Sequence, residues 1–319
     1  MKLNLCFAGD FETTTDENDL RVWAFSLSNV SSQKFIYGTS IEEFFEFCQG
    51  KHNYKIWFHN LKFDGTYIID YLLNHGFTWI EDRKDKADKT FTTLISNMGQ
   101  FYSIVVYFRV KGHKINKVEF FDSLKIFPNF SVEKVADAFK LPIKKLKIDY
   151  HKYREIGYKL TDDEINYIRN DVEIMSLALK EMFKEGLTKM TIGSCALNEY
   201  KSLIKKKNFD RWFPTPKYHE DVKQSYRGGF TYLNPEFANK TIGAGIVLDV
   251  NSLYPSVMYD SYLPYGRPIF FWGEYEDDIL YPLYTQMFRC QFELKPGKIP
   301  TIQIKHGGGF VENEYLTSS

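Results

Sequence analysis

Through the first 188 residues, strand-like stretches alternate with helix-like ones. That alternation argues for an α/β layer, in which helices cover a sheet. "LNLCFAGDFE" and "RVWAFSLSNV" read as the first two strands. "SIEEFFEFCQG" follows with a serine N-cap, apolar residues at helical spacing and a terminal glycine. "YKIWFHN" reads as a strand and "GTYIIDYLLNHG" as a helix closed by Gly76. "TLISNMGQFYSIVVYF" and "KVEFFDSLK" point to further strands, and "VEKVADAFK" to a short helix. The helix signal is strongest over 161–185. There Thr161 and Glu164 form a capping box, Asp162 and Asp163 complement the positive helix end, and apolar residues recur to Phe183.

The pattern changes near 188. "LTKMTIGSCALNEYKSLIKKKNFDRWFPTP" reads as a connection containing one helix. A strand-rich segment starts near "YRGGFTYLN" and includes "GIVLDVNSLYP", where Asp249 ends an apolar run. The expected domains are therefore 1–188, 189–260 and an incomplete segment over 261–319. Apolar residues are 44% and charged residues 26%, which fits a globular chain and excludes a disordered one. No apolar run reaches a bilayer's width and the N-terminal run is too short for a signal peptide, so a cytoplasmic protein without a membrane partner is expected. The four cysteines form no CxxC pair, so neither a zinc site nor a disulfide framework is indicated. Basic and acidic residues balance at 41 each. Only "KKLK" at 144–147 and "KKK" at 205–207 hint at a polyanion, and each taken alone reads more simply as a solvated lysine face.

Three short stretches carry the chemistry. In "GDFET", Asp10 and Glu12 stand two apart on a strand and share a face. Paired carboxylates beside an apolar run repel each other and lose hydration, and a divalent cation relieves both problems. Alone, the pair reads more simply as two solvated acids at a strand end. In "FHNLKFDGTY", Asp64 falls at a strand-to-helix junction, where it could line a site or cap the helix. In "YIRND", Tyr167 and Asp171 are i and i+4 on the strongest helix and share a face. No G-x-S-x-G, P-loop or H-E-x-x-H motif competes with this set.

In this order the three stretches resemble the exonuclease motifs of the DnaQ-like 3′–5′ exonucleases, in the branch with tyrosine in the third motif. "LDVNSLYPSVM" at 248–258 and "YRGGF" at 226–230 narrow the resemblance to the family B DNA polymerases, within them the protein-primed branch of phages and linear plasmids. It covers essentially the whole chain. The resemblance implies a ribonuclease H-like exonuclease domain followed by an incomplete polymerase palm, in the host cytoplasm if phage-encoded. It implies two divalent cations, Mg²⁺ or Mn²⁺, held by Asp10, Glu12, Asp64 and Asp171, with Tyr167 orienting the attacking water. Lys145 would stabilise the scissile phosphate.

Carried over by position, Thr13, His59, Asn60, Phe63, Tyr67, Ser123 and Leu124 would hold a frayed single-stranded 3′ end. Tyr226, Gly228 and Gly229 would contact the template backbone of primer–template DNA. Asp249 and Val250 would be polymerase metal ligands, and Tyr254 would stack beneath the incoming nucleotide's sugar. The family's second polymerase acid, in a Y-x-D-T-D motif, is absent from these 319 residues, as is its fingers motif. Expected partners are therefore a C-terminal polymerase fragment and a terminal priming protein. The alternatives are a non-catalytic DNA-binding or assembly subunit derived from such a polymerase, and a stand-alone DNA exonuclease.

Overall fold

The computed structural model describes residues 2–16, 18–217, 219–224, 232–286, 291–293, 295, 298, 303–306, 309–312 and 315–317. The chain divides into two compact units, Met1–Tyr200 and Lys201–Ser319.

The first unit is built on an eight-stranded sheet: β1 (Cys6–Thr13), β2 (Val22–Asn29), β3 (Phe35–Gly38), β4 (Tyr54–Phe58), β5 (Thr78–Trp79), β6 (Thr90–Ile95), β7 (Phe101–Lys111) and β8 (Lys114–Asp122). Their spatial order is β3-β2-β1-β4-β8-β7-β6-β5. The central trio β1, β4 and β8 runs parallel, with antiparallel β2 and β7 on its flanks. Helices α1 (Ile41–Cys48), α2 (Leu61–Asn74), α3 (Val132–Ala138) and α4 (Asp162–Lys184) complete the layer. The α/β expectation is borne out.

Strand alternation sends neighbouring residues of β1 into different cores. Phe7 and Phe11 pack with Phe44 of α1 and Ile68 and Leu72 of α2. Cys6 and Ala8 pack with Val172, Met175 and Ala178 of α4. Asp10 and Glu12 continue that second register, so the strand delivers both acids to the side where α4 lies. Gly9, in register with Phe7 and Phe11, permits close packing on the first face. A Cβ there would meet Ile56 Cγ2 at 2.8 Å and Leu27 Cδ2 at 3.0 Å. All of β2 is buried, as expected of a strand covered on both faces.

Local signals set the helix starts. Ser40 Oγ accepts from the Glu43 amide at 3.2 Å. In the capping box of α4, Thr161 Oγ1 accepts from the Glu164 amide at 3.3 Å, and Glu164 Oε2 accepts from the Thr161 amide at 2.9 Å.

Three local expectations are corrected. Helix α2 begins at Leu61, so Asp64 lies in its first turn rather than capping it. The cap position is Asn60, in the left-handed region at φ 77° and ψ 57°. The connection after α4 holds two helices, α5 (Ile192–Ile204) and α6 (Lys206–Trp212), broken at Lys205, whose φ is 66°. The run "GIVLDV" is not a strand. Val247 is 98% exposed and Leu248 88%, and among the described residues no strand pairs with them. An extended run becomes a strand only where a neighbour satisfies its backbone N–H and C=O groups. The second unit also contains α7 (His219–Gln224) and α8 (Leu253–Asp260). Among the described residues no helix is long and apolar enough to cross a membrane.

Candidate active site

The carboxyl ends of the parallel strands β1, β4 and β8 gather most of the residues singled out from sequence, where ligands of such sheets commonly bind. Asp10 and Glu12 end β1, His59 and Asn60 follow β4, and Ser123 and Leu124 follow β8. The first turn of α2 adds Phe63 and Asp64, with Tyr67 one turn on. Helix α4 contributes Tyr167 and Asp171, and the irregular segment 141–161 before it supplies Lys145.

The acids are linked through short contacts. The Phe11 amide, between Asp10 and Glu12, donates to Asp64 Oδ1 at 3.1 Å, tying α2 to β1. Lys145 Nζ donates to Asp171 Oδ2 at 2.9 Å, and its side chain remains 33% exposed. Tyr167 Oη lies 2.8 Å from Tyr150 Oη. Asp171 Oδ1 is buried with no hydrogen-bond partner.

Burial dominates the electrostatics. It pushes Asp10 up to about 7, reinforced by the Asp171 charge and opposed by Lys145. Glu12 and Asp64 lie well above the usual carboxylate range, through burial first and neighbouring carboxylates second. Asp171 is also raised by burial, with Lys145 pulling the other way. Burial and the Glu12 charge raise the Tyr167 phenol, so it stays a neutral hydrogen-bonding group. Burial works against the Lys145 charge, yet Asp171 leaves its pKa above the ordinary value. Such a cluster retains protons at neutral pH or takes a cation in their place.

The donor set is all carboxylate oxygen, the choice of hard divalent cations, and the orphaned Asp171 Oδ1 is an open acceptor. Among the described residues, no three His, Cys, Asp or Glu side chains are gathered closely enough to hold a metal ion as they stand. In donor type and number the residues fit such an ion, but they would have to draw together around it.

The remaining residues form the rim. Phe63 is 48% exposed, its ring centroid 5.8 Å from that of Tyr67. His59 Nε2–H donates to the Phe130 carbonyl at 2.8 Å, and Nδ1 lies 2.9 Å from Ser123 Oγ. Burial lowers the His59 pKa, and the Ser123 hydroxyl beside Nδ1 donates to the Phe58 carbonyl at 3.0 Å. Ser123 is itself buried, whereas Thr13 and Leu124 are half-buried. Val250 and Tyr254 belong to the second unit and are each 64% exposed, and Asp249 beside them is exposed too. Tyr226, Gly228 and Gly229 lie outside the described residues.

Two contributors escaped the sequence reading. Tyr150 is the hydroxyl partner of Tyr167. Asp122, 2% exposed, accepts at Oδ1 from the amides of Asn60 at 3.2 Å, Leu61 at 3.3 Å and Leu124 at 3.0 Å. One carboxylate thus joins the turns after β4 and β8 and holds Asn60 in its left-handed conformation. Its signal was an acid ending the run "KVEFFD" before Ser-Leu, a local turn-forming pattern.

This sheet, with its acids at the strand ends, belongs to a polymerase family. The family model for DNA polymerase type B, organellar and viral, matches residues 47–319, and the chain is a member of that family. It is 47% identical over 316 residues to the DNA polymerase of Bacillus phage phi29, covering 98% of this chain and 54% of the phage protein. Among solved structures, phi29 DNA polymerase complexed with primer-template DNA and incoming nucleotide substrates matches at a TM-score of 0.85 and 44% identity, over 98% of this chain and 56% of that one. The same polymerase complexed with single-stranded DNA matches at 0.81 and 44%, with the same coverage. The chain thus spans about half the length of these relatives. The α/β expectation and the resemblance to viral family B polymerases are both borne out.

Proposed function

We propose that the first unit is a 3′–5′ DNA exonuclease and that the chain as a whole is the N-terminal part of a protein-primed phage-type DNA polymerase. The observation that supports this most is the convergence of Asp10, Glu12, Asp64 and Asp171 with Tyr167 and Lys145 around one end of the sheet. Two divalent cations, Mg²⁺ or Mn²⁺, held by the four carboxylates would supply water activation and stabilisation of the leaving 3′ oxygen.

The chain's own residues do the positioning. The Lys145 ammonium, paired with Asp171 and still one-third exposed, offsets charge on the scissile phosphate. The neutral Tyr167 hydroxyl, with its Tyr150 partner, orients water. Phe63 and Tyr67 offer aromatic surface to unpaired bases, and Asn60 and Leu124, in the turns joined by Asp122, are proposed to contact the same strand end. The single-stranded and primer-template DNA in the phi29 complexes are the substrates proposed for this chain. Tyr226, Gly228 and Gly229 are proposed for the template strand, and Asp249, Val250 and Tyr254 for nucleotide addition. Synthesis is proposed to need the remaining polymerase half and a terminal priming protein.

The test is degradation of a 5′-labelled oligonucleotide by the chain with Mg²⁺. Single strands should be shortened from the 3′ end faster than paired ones. Asp10→Ala with Glu12→Ala should lower the rate by on the order of 10³-fold or more. A double variant as fast as the parent would reject this site.

A further inference from the structure

The segment 141–161 has no helix or strand, yet it brings Lys145 to Asp171 and Tyr150 to Tyr167. A stretch with so little backbone pairing opens readily unless side chains tie it down. Asn170 Nδ2 holds its start through the Lys144 carbonyl at 3.0 Å. Farther along, the tie is Arg154.

The Arg154 side chain is buried, 2% exposed, with its guanidinium carbon 4.0 Å from the centroid of the Trp23 ring of β2. Nε donates to Glu164 Oε1 of α4 at 3.0 Å, Nη1 to the Lys152 carbonyl at 2.7 Å and Nη2 to the Asp149 carbonyl at 3.1 Å. Its own carbonyl accepts from Arg21. One planar fork therefore binds the segment to itself, to the sheet and to the helix carrying Tyr167 and Asp171. Asp149 directly precedes Tyr150, so the tie acts next to a residue of the site. A lysine could keep the charge opposite Glu164, but its single ammonium cannot reproduce a three-way planar set.

The geometry points to Arg154 as a positioning residue for the reaction: it fixes the segment so that Lys145 and Tyr150 meet Asp171 and Tyr167. This rests on the exonuclease reading above. The competing account is an ion pair that merely stabilises the start of α4.

Arg154→Lys in the full chain separates the two. Melting curves first establish that the variant is folded. With single-stranded DNA and Mg²⁺, kcat should fall roughly 10- to 100-fold while KM stays near that of the parent. Without DNA or metal, trypsin should cut after Lys147 and Lys152 well before it attacks the rest of the first unit. Combined with Lys145→Ala, the loss should be clearly smaller than the product of the two single losses, because the Lys145 contact that Arg154 positions is already gone. Losses that multiply, or a folded Arg154→Lys chain with parental kcat and trypsin resistance, would overturn the inference. If Arg154→Lys does not fold, Trp23→Phe, which narrows the platform beneath the guanidinium, takes its place with a smaller loss, again non-additive with Lys145→Ala. A parent chain that cuts no DNA would defeat the exonuclease reading instead, and the trypsin arm would still report on the tie.

Discussion

Two apolar runs end in an aspartate, "LCFAGD" at Asp10 and "GIVLD" at Asp249, and they meet opposite fates. The first is the core of β1, bonded to β2 on one edge and β4 on the other, with Phe7 5% exposed and Ala8 fully buried. The second stands open, with Val247 98% exposed and Leu248 88%. Their apolar patterns hardly differ. What differs is the supply of neighbours: the first unit brings two strands to either side of β1, whereas no strand among the described residues pairs with the Asp249 run. An apolar run is thus a permission to form a strand, and the neighbouring backbone decides whether it is used.

The sharpest attempt to break this contrast is a pair of truncations. Ile56, fully buried beside β1, should cost about 2–5 kcal/mol when changed to Ala and lower the melting temperature of the first unit. Leu248→Ala should change stability by no more than about 0.5 kcal/mol. Equal losses, measured by calorimetry, would show that the second run is packed after all.

A second test uses acid. Burial works against the Glu164 charge, but the Thr161 amide, Tyr158, Arg154 and Lys152 outweigh it and hold the carboxyl at about 2, below its ordinary 4.5. A depressed pKa adds stability that is fully present above pH 4.5 and is lost as pH falls toward 2. The amount is on the order of 3 kcal/mol. Glu164→Gln should therefore lower the melting temperature at pH 7 and lose less than the parent between pH 4.5 and 2. An unchanged acid profile in the variant would remove Glu164 from the account.

The opposite sign is expected at Asp10. Its pKa is raised from 3.8 to about 7, so its charged form opposes folding above pH 7 and the penalty fades as pH falls through that window toward 3.8. With chelator present, Asp10→Asn should raise the melting temperature at pH 8. The gain should shrink by pH 5. Asp249→Asn, at an exposed position, should leave melting unchanged at both values. The smallest effect is kinetic: Tyr167→Phe should slow 3′-end hydrolysis by roughly tenfold while single-strand affinity stays constant. Equal losses of rate and affinity would make the hydroxyl a binding group.

The sequence by itself determined what depends on near neighbours. The caps at Ser40 and Thr161, the shared face of Asp10 and Glu12 and the shared face of Tyr167 and Asp171 all follow from spacing along one element. Tertiary structure decided what depends on partners far away in the chain. Asp64 is defined by the amide of Phe11, Asp122 by the turn at Asn60, and Arg154 by the ring of Trp23. None of these pairs has a sequence period, because each is made by the order in which strands assemble. The same reason separates Asp10 from Asp249. A run of side chains records its own hydrophobicity, but a strand's hydrogen bonds belong to its neighbours, and only the folded sheet supplies them.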